Sequence, residues 1–322
     1  MTKIALLIIY NHRFDKNIER LEKLYEDKFS YIYHIMPFYD GEKGNVIPVY
    51  ASSYQFQSYI AQAYQHIKDK GYTHYFFVAD DMILNPDINE HNLFEKTGIG
   101  THQCYITDIR ELYHCYVAHH VNKMRKYHVR VKGVEVERIL PSKQDAEKCF
   151  QEHNLQTGSV TTVYLMKVAR FAFYAKMLRQ FVLLLFEILF HRVKVHYPLV
   201  WGYSDILLLP ADIMKSFTTY CGAFAATGLF VEYAIPTSLI FSSNDIITGN
   251  QLKLRAVTQV YPHKVVHSKL ATISSDYEPP TCWDEEYVSD KYHFDLQNLL
   301  TNFPKDMFFI HSIKLSTWKM GN

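Results

Sequence analysis

Residues 72–86, YTHYFFVADDMILNP, constrain the fold more than any other stretch of the chain. Tyr75, Phe76, Phe77 and Val78 form a run of aromatic and β-branched residues with no polar alternation. Such a run suits a strand covered on both faces, as in a parallel sheet between helical layers. It stops at two adjacent carboxylates, Asp80 and Asp81, and soon meets Asn85-Pro86, a turn-forming pair. Acids at the carboxyl end of a central strand lie where α/β sheets open a ligand crevice. Hard oxygen donors there suit Mg²⁺ or Mn²⁺, which in turn suits a phosphate ligand. The same residues also fit a solvated turn after a buried strand.

The flanking sequence supplies the rest of such a sheet. Residues 3–10 predict a first buried strand. Residues 14–26 predict a helix carrying Ile18, Leu21, Leu24 and Tyr25 at helical spacing. Residues 29–36 predict a second strand that ends in a turn at Asp40-Gly41, and residues 46–50 a third. Ser52 or Ser53 caps a helix over 54–70, which Gly71 stops. Strands alternating with helices at this pace predict an α/β, Rossmann-like, mostly parallel central sheet flanked by helices. No Gly-x-Gly-x-x-Gly follows the first strand and no Walker A sequence occurs, which argues against dinucleotide and P-loop sites.

The chain has 322 residues, 48% hydrophobic and 21% charged, so it can bury a large core. A net charge of +1 gives no support to a nucleic-acid partner. Five cysteines, with no CxxC spacing, argue against a disulfide framework or a structural zinc site and for a reducing compartment. The opening MTKIALLIIYNHR lacks a small-residue cleavage site and reads as a strand rather than a signal peptide. No run is long enough and free enough of charge to predict a membrane span.

Further along, residues 91–141 have mixed periodicity. Their paired His119 and His120 fit a helix surface better than a metal site, because no acidic or Cys partner stands at ligand spacing. Residues 142–152 predict a short charged helix. Residues 164–195 are helical in pattern, very apolar, and carry Lys167, Arg170, Lys176, Arg179, His191 and Arg192. They suit a core helix, the favoured reading, or a basic amphipathic helix on a membrane surface. Next come a glycine-containing loop, a strand up to Pro210, helices over 212–220 and 223–235, with Pro236 closing or kinking the second, a strand fragment over 239–241, and a strand with a polar tip over 261–269. The division expected is a nucleotide-sugar-binding half (1–110), a helical insertion (111–195), an acceptor and catalytic half (196–275), and a C-terminal extension without a role (276–322).

Taken in order, FFVADD, WGYSD, FVEYAIPT and VVHSK resemble the motif order of the GT-A superfamily of nucleotide-sugar glycosyltransferases, over residues 3 to about 270. The family's strand-end motif is usually Asp-x-Asp, and here Ala79 fills the first slot. The resemblance implies Asp81 as direct metal ligand, with Asp80 on the ribose or the metal's water shell. It implies that His267 completes the metal shell or touches the diphosphate, with Lys264 and Lys269 near the leaving phosphates. Glu232 matches the helix-borne acid that deprotonates the acceptor hydroxyl, although Tyr233 follows it where a second acid can stand. Gly202 would let the backbone approach a sugar, while Tyr203, Ser204 and Asp205 would contact the acceptor. Asn11 and Asp40, at the ends of the first two strands, would read the base.

The implied activity is metal-assisted transfer from a nucleoside-diphosphate sugar, UDP-linked for preference, to a glycan or lipid-linked acceptor, with inversion if Glu232 is the base and retention as the alternative, since fold and motif order do not fix stereochemistry. Mn²⁺ or Mg²⁺ is the implied cofactor. The implied setting is bacterial polysaccharide synthesis by a cytoplasmic enzyme with peripheral contact at the inner membrane face through 164–195. Two alternatives stand beside it. One is a non-catalytic GT-A-like binding scaffold. The other is a sugar nucleotidyltransferase, which usually shows a glycine-rich basic loop after the first strand, where this chain has YNHRFDKN.

Overall fold

The computed structural model describes residues 2–112, 127–156, 178–189, 197–261 and 281–319. In chain order its first half comprises β1 (Ile4–Ile9), α1 (Lys16–Tyr25), β2 (Tyr31–Pro37), β3 (Val46–Val49), α2 (Phe56–Ile67), β4 (His74–Ala79), β5 (Met82–Leu84), α3 (Leu93–Thr97), β6 (Cys104–Ile106) and β7 (Arg110–Glu111). Then follow α4 (Lys143–Glu152), α5 (Leu178–Leu189), β8 (Val200–Trp201), β9 (Ile206–Pro210), α6 (Met214–Ala226), α7 (Val231–Ile240) and β10 (Ile246–Ile247). The last group is β11 (Arg255–Tyr261), β12 (Thr281–Asp284), α8 (Glu285–Tyr292), α9 (Leu296–Thr301) and β13 (Met307–His311).

Seven strands form the main sheet in the order β10-β6-β9-β4-β1-β2-β3. Its β3-β2-β1-β4 half is parallel throughout, whereas β9 runs antiparallel to both of its neighbours. The fold is therefore α/β, with a mixed, mostly parallel central sheet flanked by helices. Successive strand residues face opposite sides, so the apolar runs build two cores at once. Ile4, Leu6, Ile8, Phe76 and Val78 pack with Ile18, Leu21 and Tyr25 of α1 on one side. Ala5, Leu7, Ile9, Tyr75 and Phe77 pack with Tyr59 and Ile60 of α2 and Phe217 of α6 on the other. The Ser52 hydroxyl accepts from Tyr54 N–H and caps the 3-10 turn Ser53–Gln55 that leads into α2, whereas α2 itself starts after Gln55 without a side-chain cap. Gly71 takes the left-handed φ of +70° that ends the connection.

A second sheet, β12-β11-β13-β5, continues from the first. Only Asp80 and Asp81 separate β4 from β5, so the acids mark a step between sheets rather than a solvated loop. Asn85-Pro86 opens the expected turn, with Ile88 N–H donating to Asn85 O at 3.0 Å and Asp87 N–H to Asn85 Oδ1 at 3.0 Å. Asn85 is buried, its side chain donates to Met307 O at 2.7 Å, and its N–H donates to Phe308 O at 2.8 Å. Phe308 in turn lies stacked on Phe76, ring centroids 6.2 Å apart.

Several expectations change. The segment expected to be an extension without a role supplies β12, α8, α9 and β13, and Phe308, Phe309 and Ile310 are fully buried. Helix α6 runs on to Ala226, the chain breaks at Gly228 with φ +72°, and α7 begins at Val231. Of the two places expected for Pro236, the structure has it inside α7 and not at its end, and residues 239–240, expected to open a strand fragment, are the last turn of that helix. Helix α5, favoured as a core helix, shows Leu178, Val182, Phe186 and Leu189 more than half exposed. The His119-His120 pair lies outside the described residues. Among the described residues no helix is long and apolar enough to cross a membrane, and Cys104, Cys149 and Cys221 are free thiols.

If β13 belongs to the core, Phe308→Ala should lower unfolding free energy by about 3–5 kcal/mol in urea denaturation. A loss of under about 1 kcal/mol, the range of surface changes, would mark the segment as an appendage.

Candidate functional site

The strand order of the main sheet reverses between β1 and β4, with β2 and β3 on one side and β9 and β6 on the other. In open α/β sheets the ligand crevice lies at that point, beyond the carboxyl ends of the strands. Asp80 and Asp81 follow β4 there. Asp80 N–H donates to Ile9 O at 2.9 Å, which seats the acid against the end of β1. Its carboxylate accepts from the Asn11 backbone N–H and from the Asn17 side chain in the first turn of α1. Burial first, and the charge of Asp81 second, outweigh these bonds and push the Asp80 carboxyl up to about 7.

Asp81 faces the second sheet. Its Oδ1 lies 3.0 Å from Nε2 of His311, the last residue of β13. The strand register explains the meeting, because His311 pairs with Met82, the residue after Asp81. The Nδ1 of His311 donates to Thr258 O on β11 at 2.9 Å, and a carbonyl can only accept. Burial alone would lower the imidazole, but the Asp81 carboxylate overrides it and His311 is raised to about 9. Burial likewise works against Asp81, yet the His311 hydrogen bond and charge, with the exposed Lys314 adding to them, hold its carboxyl below the ordinary range. The two form an ion pair between the sheets at neutral pH.

The loop over 202–205 brings a third segment. Tyr203 lies parallel to Phe309, ring centroids 6.5 Å apart, and meets the His311 ring edge-on at 5.7 Å. Asp205 O accepts from Ala79 N–H at 2.9 Å, which ties the loop to the end of β4. Burial raises the Asp205 carboxyl to about 6. The positive charge of His311 opposes this, while Asp81 and Glu232 add to it. Glu232, in the first turn of α7, thereby stands within electrostatic reach of Asp205.

Pro236 explains how α7 holds the loop. A proline within a helix has no N–H for the carbonyl four residues back. That carbonyl is Glu232's, and it accepts from Gly202 N–H at 2.9 Å instead. The other side of the loop is held by Asp108, whose Oδ1 accepts from Tyr203 N–H at 2.6 Å. A Cβ on Gly202 would sit 2.1 Å from Asp108 O, so glycine is required for packing here.

The structure thus brings Asp80, Asp81, Tyr203, Asp205 and Glu232 into one neighbourhood, with Asn11 joining through its backbone. Other expected residues are engaged elsewhere. The closeness that Gly202 permits is spent on Asp108 rather than on a sugar. Ser204 is buried and its hydroxyl donates to Gly202 O at 3.1 Å. Asp40 is exposed and pairs with Arg13 at 2.6 Å. His267, Lys264 and Lys269 lie outside the described residues. The sequence reading missed Asn17, Asp108, His311 and Lys314. One signal was available: an apolar run ending in His-Ser with a lysine shortly after occurs in VVHSK and again in MFFIHSIK.

Among the described residues no three His, Cys, Asp or Glu side chains are grouped to hold a metal ion. Asp81 offers one carboxylate, while His311, charged and paired with it at neutral pH, offers a lone pair only after releasing its proton. Mg²⁺-type ions commonly take one or two protein ligands and complete their shell with water and phosphate oxygens. The donor set therefore fits an ion shared with a phosphate ligand rather than a closed protein cage. Comparisons with protein-family models, curated proteins and solved structures give no match.

Two outcomes follow from these charges. Histidine resonances followed by NMR should show His311 protonated through neutral pH and titrating near 9, whereas Asp81→Asn should bring that titration well down. A His311 that titrates alike in both proteins contradicts the ion pair. Because the Asp80 carboxyl is raised to about 7, the folded state binds more protons than the unfolded one from about pH 4 to 7, so its contribution to stability falls as pH rises through that window. Asp80→Asn should flatten the decline in melting temperature from pH 5 to 8, and an unchanged slope would contradict the assignment.

Proposed function

We propose that this chain is a nucleotide-sugar glycosyltransferase of GT-A type that binds its donor diphosphate where β1 and β4 end. One observation carries the reading: β4, the 202–205 loop, α7 and β13 each send an ionisable side chain to the same switch point. Like charges gathered in a buried place cost stability, and perturbed carboxyls in a crevice are a mark of chemistry. The same argument favours an enzyme over a scaffold that only binds.

In this reading the acceptor hydroxyl attacks the anomeric carbon of the donor. Glu232 takes the hydroxyl proton as the new carbon–oxygen bond forms. The bond from that carbon to the diphosphate breaks, and its electron pair leaves with the diphosphate oxygen. Displacement in line inverts the anomeric centre. Asp205 stands within electrostatic reach of Glu232 in the acceptor half. Tyr203, stacked on Phe309 and edge-on to His311, keeps the loop in place. Asp81 and, after release of its proton, His311 would hold Mn²⁺ or Mg²⁺. When bound, that ion would offset charge on the leaving diphosphate. Lys314 is the described cation beside Asp81 that adds to this field. The donor is UDP-linked in preference, and the acceptor is a glycan hydroxyl.

Calorimetric titration with UDP should show binding that strengthens with Mn²⁺, and Asp81→Ala should abolish that gain. In a screen of nucleotide sugars for donor turnover, Glu232→Gln should lower kcat by about 10²–10⁴-fold with little change in donor binding. Metal-independent turnover by Asp81→Ala, or an unchanged kcat in Glu232→Gln, would overturn the respective roles. Absence of any nucleotide binding would favour the scaffold.

A further inference from the structure

From Tyr233 to Ile240 every residue of α7 is buried, Pro236 among them. Proline is the poorest residue for a helix interior and alanine the best. The carbonyl that a proline leaves without its helical donor must find another one when water cannot reach it. In α7 that donor is Gly202, whose N–H lies 2.9 Å from Glu232 O. The residue after the proline adds a second tie to the same segment: Thr237 Oγ1 accepts from Val200 N–H at 3.2 Å. Strand β8 and the loop after it are therefore spliced to α7 over residues 200–202.

The far end of the loop is tied to β4. Asp205 O accepts from Ala79 N–H at 2.9 Å, one residue before Asp80. Between the two ties, Asp108 Oδ1 holds Tyr203 N–H at 2.6 Å, and the Ser204 hydroxyl donates back to Gly202 O at 3.1 Å. Hydrogen bonds thus lead from the Glu232 peptide through residues 202, 203 and 205 to the strand end that carries Asp80 and Asp81. The bridge begins at the one carbonyl of α7 that Pro236 cannot serve. An alanine there would suit the helix better and would offer its own N–H to that oxygen, as in any α-helix.

We infer that Pro236 is a positioning residue: by withholding an N–H it reserves the Glu232 carbonyl for Gly202, and so sets where Glu232 stands relative to the acids at the end of β4. Its effect on turnover rests on the reading of Glu232 as the base, whereas its effect on the Gly202 bond does not.

Native-state hydrogen exchange of the full chain tests the bond directly. The Gly202 amide should be protected in the wild type and should exchange about tenfold faster in Pro236→Ala, while the melting temperature holds or rises. In a donor-turnover assay the same variant should lose about tenfold or more in kcat, with UDP binding unchanged. A proline that served packing alone would shift the melting temperature and leave both readings as they were. A Gly202 amide that exchanges freely in the wild type overturns the proposal, as does one equally protected in both proteins. Faster exchange at Gly202 with an unchanged kcat overturns the positioning role. Should Pro236→Ala melt lower, lactic acid at position 236 replaces it, since it carries alanine's methyl group with an ester oxygen in place of the N–H. That chain must regain protection at Gly202, and exchange as fast as in Pro236→Ala would assign the effect to the lost ring and overturn the proposal. If Glu232→Gln turns over like wild type, the base reading fails, and exchange at Gly202 still decides what Pro236 does.

Discussion

The contact of Asp81 with His311 is the joint on which the site depends. It links the last turn of the parallel half-sheet to the last residue of β13, two segments 230 positions apart in sequence. Both groups are largely buried, and each shifts the other's ionisation in the direction that keeps the pair charged. A buried pair of this kind contributes little net stability, because desolvation offsets most of the attraction. Removing one partner is another matter, since the other is left charged and unpaired. What the pair supplies is position: it fixes where the second sheet meets the first.

Around that joint the fold gathers buried acids. Asp80 and Asp205 sit so that their ordinary ionisation is resisted, by burial first and by like charge next. Their carboxyls are held near 7 and 6, close to where proton transfer at neutral pH is efficient. The backbone around them is held firmly. Pro236 frees the Glu232 carbonyl for Gly202, and Asp108 grips the other side of the same loop. Rigid support under strained electrostatics is the arrangement expected of a site that gains activity at the expense of stability.

Much of the first half of the fold was legible because its signals are local. The runs IALLII and YFFVA can only be buried strands, and α1 shows its apolar face at helical spacing. Asp80 and Asp81 were legible for the same reason, as polar residues that abruptly end an apolar run. The second half was read less well because its causes are long-range. Pro236 reads as a breaker until Gly202 is seen taking the carbonyl it frees. The residues after 280 read as a tail until Phe308 is found stacked on Phe76. His311 was passed over for His267, whose neighbours follow the same pattern. Nothing within either segment says which strand will pair with the residues after Asp81. That is a matter of sheet register, set by contacts across the whole chain.

The central claim is that the crevice beside Asp81 receives a diphosphate and its cation. Anomalous diffraction from crystals soaked with Mn²⁺ and UDP tests it most directly. The account predicts an anomalous peak at coordinating distance from the Asp81 carboxylate, with the diphosphate against the ends of β1 and β4. Nucleotide density elsewhere on the molecule, with Asp81 still paired to His311 and no peak beside it, would contradict the account.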